Sequence, residues 1–280
     1  MLSNKIDFAV VFMANNANPN GDPLNGNRPR INYDGYGEVS DVCIKRKIRN
    51  RLQDAGYSIF VQSDDRCDDG FRSLSDRASA ADEIKKAGKD REAYAKAACE
   101  KWMDVRTFGQ VFAFKGDGAK GVSVGVRGPV SIHTAKSVMP VNIESMHITK
   151  SVNSETKDSK SSDTMGMKHT VEHGMYVTYG SINTQLAEKT GFSDEDAEAI
   201  KQALISLFEN DCSSARPEGS MEVYKVIWWK HNCKGGQYSS AKVHRSLKVE
   251  VKTDNPKAID DYDVTVTPLE GLEAEIYEGR

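Results

Sequence analysis

Lys45, Arg46 and Arg49 crowd into CIKRKIRNRL, a segment whose Ile44, Ile48 and Leu52 recur every four residues. As a helix turning about 100° per residue, it would bury those three in one narrow stripe, project Arg46, Arg49 and Asn50 from the opposite side, and set Lys45 beside them. Cations so close together, two of them with fork-shaped donors, suit one chemistry in particular: holding the phosphates of a polyanion. Far along the chain, Met165 and Met167 flank Gly166 and precede Lys168-His169. Methionine is usually core filler. On a protruding hairpin, however, an apolar pair beside cations is what parts stacked bases while the backbone is gripped.

Other chemistries lack their residues. Asp22 is almost the only carboxylate in NNANPNGDPLNGNRPR (15–30), whose Asn16, Asn18 and Asn20 mimic half a calcium loop but leave Asn27 where a bidentate Glu is needed. The many amides and backbone N–H groups of that loop suit phosphates or sugar hydroxyls, or simply a rigid surface turn. Gly116-Asp117-Gly118-Ala119-Lys120-Gly121 spells a dinucleotide fingerprint but runs on into strand-like Val-Ser-Val, so a hairpin turn is the better reading. His169 and His173 sit in an extended run and would not converge on a metal. His231-Asn232-Cys233 has no partner at ligand spacing, and there is no nucleophile elbow. The five cysteines are scattered and odd in number, which indicates neither disulfides nor a zinc ribbon. No catalytic centre, metal or cofactor is expected.

The elements that must carry these residues can be read from periodicity. KIDFAVVFM (5–13) is a Val/Phe-rich run expected as a strand covered on both sides. Ser40 caps the basic helix, which runs to about Asp54 with Asp41 in its first turn and stops at Gly56. Tyr57–Val61 (YSIFV) reads as a second strand. Residues 62–103 are polar and then Ala/Lys/Glu-rich, an inserted helical lobe. Short strands follow at Gln110–Phe114 and Val122–Val126. Ile143–Ile148 and MGMKHTVEHGMYVTY (165–179) are the arms of a long protruding hairpin, joined by the mobile, Ser/Lys-rich 151–163. Ser193 opens a helix with a capping-box pattern and Ile200, Ala203, Leu204, Leu207 and Phe208 on one face. Strands at 222–230 and 246–252 complete a β-α-β, β-α-β order, the ferredoxin-like or RRM-like pattern whose open sheet often binds RNA.

With 280 residues, 38% hydrophobic and 28% charged, the chain has the composition of one elaborated domain or two small ones. Its longest uninterrupted apolar run, Phe8–Ala14, is too short to span a bilayer and the start lacks a signal peptide, so no membrane association and a cytoplasmic location are expected. A formal net charge of −3 excludes coating nucleic acid by bulk charge, but the charge is segregated. Arg28–Arg51 holds seven Lys/Arg against three acids, and Lys225–Lys252 seven against one. Phe192–Glu222 and Asp254–Arg280 each hold eight acids against two bases. Separate basic and acidic surfaces allow a polyanion on one side and contacts between copies or with other proteins on another.

Taken together, FMANNANPNGDPLNGNRPR, CIKRKIRNRL, DVRTFG (104–109), Arg127-Gly128-Pro129-Val130 and MGMKHTVEHGMYVTYG resemble the repeated backbone subunit of type I-C CRISPR Cascade complexes, the Csd-two family in the Cas-seven group of RAMP proteins. The resemblance runs from Phe8 to about Trp229. It implies an α+β fold: a modified RRM/ferredoxin-like palm (1–61, 105–136 and 174–252), a helical finger insertion (62–104), a β-hairpin thumb (137–173) and an acidic C-terminal segment (253–280). It further implies a non-catalytic subunit that oligomerises head to tail along CRISPR RNA, joins other Cascade subunits, and presents the guide to a target DNA strand. Lys45, Arg46 and Arg49 would hold the RNA backbone with Arg28 nearby, and Lys150, Met165, Met167, Lys168 and His169 would lie where the thumb crosses the RNA. Related type III subunits cleave RNA with an Asp in the first loop. Asp22 occupies a similar place in a different Gly-Asp-Pro context.

Overall fold

Strand β1 (Ile6–Ala17) sends Phe8, Val10 and Phe12 into one hydrophobic cluster and Ala9, Val11 and Met13 into another, the period-2 alternation of a strand buried on both faces. The structure is a computed structural model that describes residues 1–113, 123–149, 151–152, 156 and 165–280. The GxGxxG motif, Lys150 and most of 151–163 lie outside the described residues.

After β1, the first loop makes a small ribbon of β2 (Gly21–Asp22) and β3 (Arg28–Pro29), and β4 (Tyr36–Val39) leads into α1 (Asp41–Asp54). The Ser40 hydroxyl accepts from the Cys43 N–H, and Ile44, Ile48 and Leu52 are buried as the spacing predicts. Helices α2 (Leu74–Ala80), α3 (Asp82–Ala87), α4 (Arg91–Lys101) and α5 (Met103–Phe108), with the ribbon of β5 (Gly109–Phe112) and β6 (Val124–Arg127), surround a separate core of Phe60, Ile84, Tyr94, Trp102 and Phe112. There follow β7 (Val130–Ile132), β8 (Ala135–Pro140), β9 (Ile143–Thr149) and β10 (Met165–Ile182), then α6 (Thr184–Thr190) and α7 (Asp194–Ile205). The chain ends with β11 (Met221–Lys230), α8 (Ser240–His244), β12 (Leu247–Val251), β13 (Tyr262–Val266) and β14 (Glu275–Glu278).

The main sheet runs β14-β11-β1-β10-β8-β4, with β7 and β9 also pairing with β10, and all its ladders are antiparallel. Helices α1 and α7 cover one face, their Ile44, Ile48, Leu52, Ile200 and Leu204 packing with Phe8, Phe12 and Tyr176. Ser193 and Asp196 form the expected reciprocal capping box on α7.

Two expectations are corrected. Tyr57–Val61 is not a strand: the N–H groups of Phe60 and Val61 donate to the buried Asp104 carboxylate at 2.7 and 3.0 Å instead of to a ladder. The sheet position beside β10 is filled by β7. Nor is the second sheet face open, because Val243, Leu247, Tyr262 and Leu272 cover it over Ala9, Met13 and Trp229. Residues 253–280 supply much of that cover through β13, and β14 forms the sheet's edge beside β11.

Candidate nucleic-acid interface

The antiparallel register of β9 with β10 opposes Thr149 to Met165, His147 to Met167 and Ser145 to His169, while Lys168 opposes Met146. Directly paired residues share a face and successive residues alternate. Met165, Met167 and His169 therefore stand on one face of this hairpin, and Lys168 stands on the other with Met146 and Ile148. Met165 and Met167 are 68% and 51% exposed, so neither is core filler here.

At the hairpin root, Arg28 reaches across from β3. Its Nη1 donates to Ser145 Oγ at 2.9 Å and lies 3.3 Å from His169 Nδ1, which is itself 2.8 Å from Ser145 Oγ. A guanidinium only donates, so Nδ1 can meet Arg28 only as an acceptor. His169 is buried. It braces Arg28 at this junction, where Arg28 meets no carboxylate in these bonds. Ser145, which completes the junction, was not flagged by any sequence motif. Only its register opposite His169 reveals it.

The basic face of α1 is not the free surface the periodicity predicts. Lys45 pairs with Asp41 at 2.9 Å, and Arg49 Nε donates at 2.8 Å to Asp104, with only 12% of its side chain exposed. Phe108 lies beneath both, 6.0 Å from Lys45 Nζ and 5.0 Å from the Arg49 guanidinium carbon. Arg46 Nη1 donates to the Val61 carbonyl at 2.7 Å, and burial together with neighbouring Arg49 lowers its pKa. The cause is non-local: the 59–61 segment and α5 fold over the far side of α1. Of the three, Arg46 alone forms no carboxylate ion pair among the described residues. Lys47, also in this stretch, is buried against Asp211.

A family model described as CRISPR-associated protein Cas7 matches residues 4–267. The chain belongs to the Cas7 family. A curated CRISPR-associated protein Cas7 from Haloferax volcanii is 27% identical over 286 residues, covering 95% of this chain and 82% of the relative. Among solved structures, a chain of a "CRISPR RNA-guided surveillance complex, pre-nicking" aligns with TM-score 0.50 at 17% identity, over 80% of this chain and 75% of that one. That likeness concerns the fold, a mixed α/β architecture around a central antiparallel sheet.

In this Cas7 chain Asp22 is committed locally. Its carboxylate caps the Leu24 N–H and pairs with Arg30, both at 3.3 Å. Among the described residues there is no group of three or more His, Cys, Asp or Glu that could hold a metal ion. His173, four positions from His169, bonds Asn15 and Tyr262. No described helix is long and apolar enough to cross a membrane.

Proposed function

We propose that this chain is the non-catalytic, CRISPR RNA-binding backbone subunit of a Cascade surveillance complex of type I-C. Copies follow one another head to tail along the guide, present it for pairing with a target DNA strand, and meet other Cascade subunits at the ends. In this reading β1, α1, β7, β10, α7 and β11 form an RRM-like palm, residues 62–104 are the finger and 137–173 the thumb. The work is done in the cytoplasm.

One observation carries the proposal: Arg28 of the first loop is hydrogen-bonded to the root of a hairpin whose same face bears exposed Met165 and Met167. A cation of fixed orientation beside an apolar pair meets the two needs of gripping a single strand, neutralising phosphate and separating bases. Lys45, Arg46 and Arg49 extend the grip along the palm through the donors their internal partners leave, and Lys150 and Lys168 add charge to the thumb. Asp22 has no catalytic role in this account, because its carboxylate serves the loop's own geometry.

The test is whether the protein purified from cells carries a defined short RNA, measured by its ultraviolet absorbance ratio and by denaturing gel. A discrete RNA supports the reading. Nucleic-acid-free protein that also ignores added single-stranded RNA rejects it. Specific cleavage of labelled RNA with Mg²⁺, abolished by Asp22→Ala, would replace the scaffold reading with a ribonuclease.

A further inference from the structure

Lys225–Lys252 holds seven Lys/Arg against one acid, and the guide-binding site described above uses none of them. The fold sorts these cations into two groups. Lys225 is spent on Glu278, Lys230 on Asp194, Lys234 on Glu188 and Lys252 on Asp263. Lys242, Arg245 and Lys248 are exposed and have no carboxylate within salt-bridge reach among the described residues.

The unspent cations are neighbours. Val243 on α8 and Leu247 on β12 turn inward over Ala9, Met13 and Trp229, which leaves Lys242 and Arg245, three apart on one helical turn, and Lys248 on the outward side. Lys242 Nζ lies 4.2 Å from the centre of the Tyr238 ring, whose hydroxyl donates to the Glu270 carbonyl at 2.8 Å. An anchored ring thus holds the ammonium without neutralising it. Glu250, two residues beyond Lys248 on the same strand, and Asp263 opposite Glu250 mark the limit of the patch. No large hydrophobic side chain is exposed between Lys168 and Glu275 among the described residues, so the patch lacks the apolar centre on which a protein partner would close.

We propose that the α8–β12 surface is a second nucleic-acid contact, one that holds phosphodiester backbone by charge and reads no sequence. Phosphate oxygens need cations and donors rather than an apolar partner, and Arg245 offers a planar fork between the point charges of Lys242 and Lys248. Helical spacing sets the Cβ atoms of Lys242 and Arg245 about 5–6 Å apart, close enough to serve neighbouring phosphates of one strand. The surface lies on different elements from Arg28, Ser145 and the β9–β10 hairpin, so it adds a contact to the one assigned above and does not depend on it. RNA, single-stranded DNA and duplex DNA all offer this chemistry, and the test separates them.

Fluorescence anisotropy of the full chain with short mixed-sequence RNA, single-stranded DNA and duplex DNA, from low to high salt, tests this. Lys242→Ala/Arg245→Ala/Lys248→Ala, checked for folding by circular dichroism, should bind at least one probe about tenfold more weakly at low salt. Its slope of log affinity against log salt should be shallower by about 2.7 on duplex DNA or about 2.1 on a single strand, the loss of three phosphate contacts. The probe that responds names the source of the phosphates. Lys242→Arg/Lys248→Arg keeps the charge and should keep the wild-type slope, whereas Lys242→Gln/Lys248→Gln should lose about two thirds of the triple variant's change, which keeps the test open if the triple variant misfolds. Wild-type curves on all three probes for a folded triple variant overturn the proposal. Weaker binding with an unchanged slope overturns it too, since lost shape and not lost phosphate contacts would then be the cause. Arg28→Ala/Met165→Ala/Met167→Ala separates the two sites: its residual salt-dependent binding should disappear when the α8–β12 changes are added. Failure of the guide reading leaves Arg28→Ala like wild type with the α8–β12 effect intact, and failure of this proposal leaves the reverse.

Discussion

Arg28 and His169 are 141 positions apart in sequence and 3.3 Å apart in the fold, joined through Ser145. This contact ties the first loop to the hairpin, so under the proposed function a phosphate held at Arg28 and a base displaced at Met167 would share one geometry. Arg28→Ala should weaken single-stranded RNA binding and lower the slope of log affinity against log salt by about 0.7, the loss of one phosphate contact. His169→Ala removes the brace while leaving the Arg28 cation in place, so affinity should fall with a smaller change in slope than Arg28→Ala causes. Filter binding across a salt series reads both.

Met165 and Met167 are exposed, so replacing both with Ala should leave thermal stability within about 0.5 kcal/mol of wild type. The effect should fall on bound RNA instead. A fluorescent base analogue at the crossing position, bright when unstacked by the wild type, should remain quenched on the variant. Equal fluorescence on both proteins would remove the wedge from the account.

Asp104 is fully buried and accepts from the N–H groups of Phe60 and Val61 and from Arg49. Asp104→Ala would leave a mostly buried guanidinium and two backbone donors without their acceptor, at a cost of about 3–5 kcal/mol. Denaturant unfolding measures this loss, and a change under 1 kcal/mol would show that the site relaxes or takes in water.

Asp7 is buried with His231 Nε2 at 2.8 Å and Lys5 Nζ at 3.1 Å. Burial alone would raise its pKa, but His231, Ser240 and Lys5 outweigh burial and hold it below the ordinary carboxylate value. A group whose pKa is lower in the folded state contributes stability in full above its unfolded pKa, and that stability is lost as pH falls through the folded value. The stability gap between wild type and Asp7→Asn should therefore be largest near neutrality and shrink below about pH 4. A gap independent of pH would mean that packing, not ionisation, makes Asp7 matter.

What could be read from sequence was what neighbours in sequence determine. The Ser40 cap, the Ile44/Ile48/Leu52 stripe, the Ser193 capping box and the double-sided burial of β1 all follow from local spacing. YSIFV misled because its apolar run is the same for a strand as for a buried extended segment whose N–H groups find Asp104, over 40 positions away. The basic helix face misled for a related reason. Periodicity locates a side opposite the core but cannot reveal that Phe108 and Asp104 return to cover it. The closure of the second sheet face by the C-terminal strands was equally hidden, since an acidic composition says nothing about pairing partners.

The central claim, that a single RNA strand is held where the first loop meets the hairpin, is tested most directly by one comparison. Affinity for a short single-stranded RNA is measured from low to high salt for wild type and for Arg28→Ala/Met165→Ala/Met167→Ala. The account predicts a steep salt dependence for wild type, and for the variant, still folded by circular dichroism, weaker binding with a shallower slope. Superimposable curves for the two proteins would contradict it.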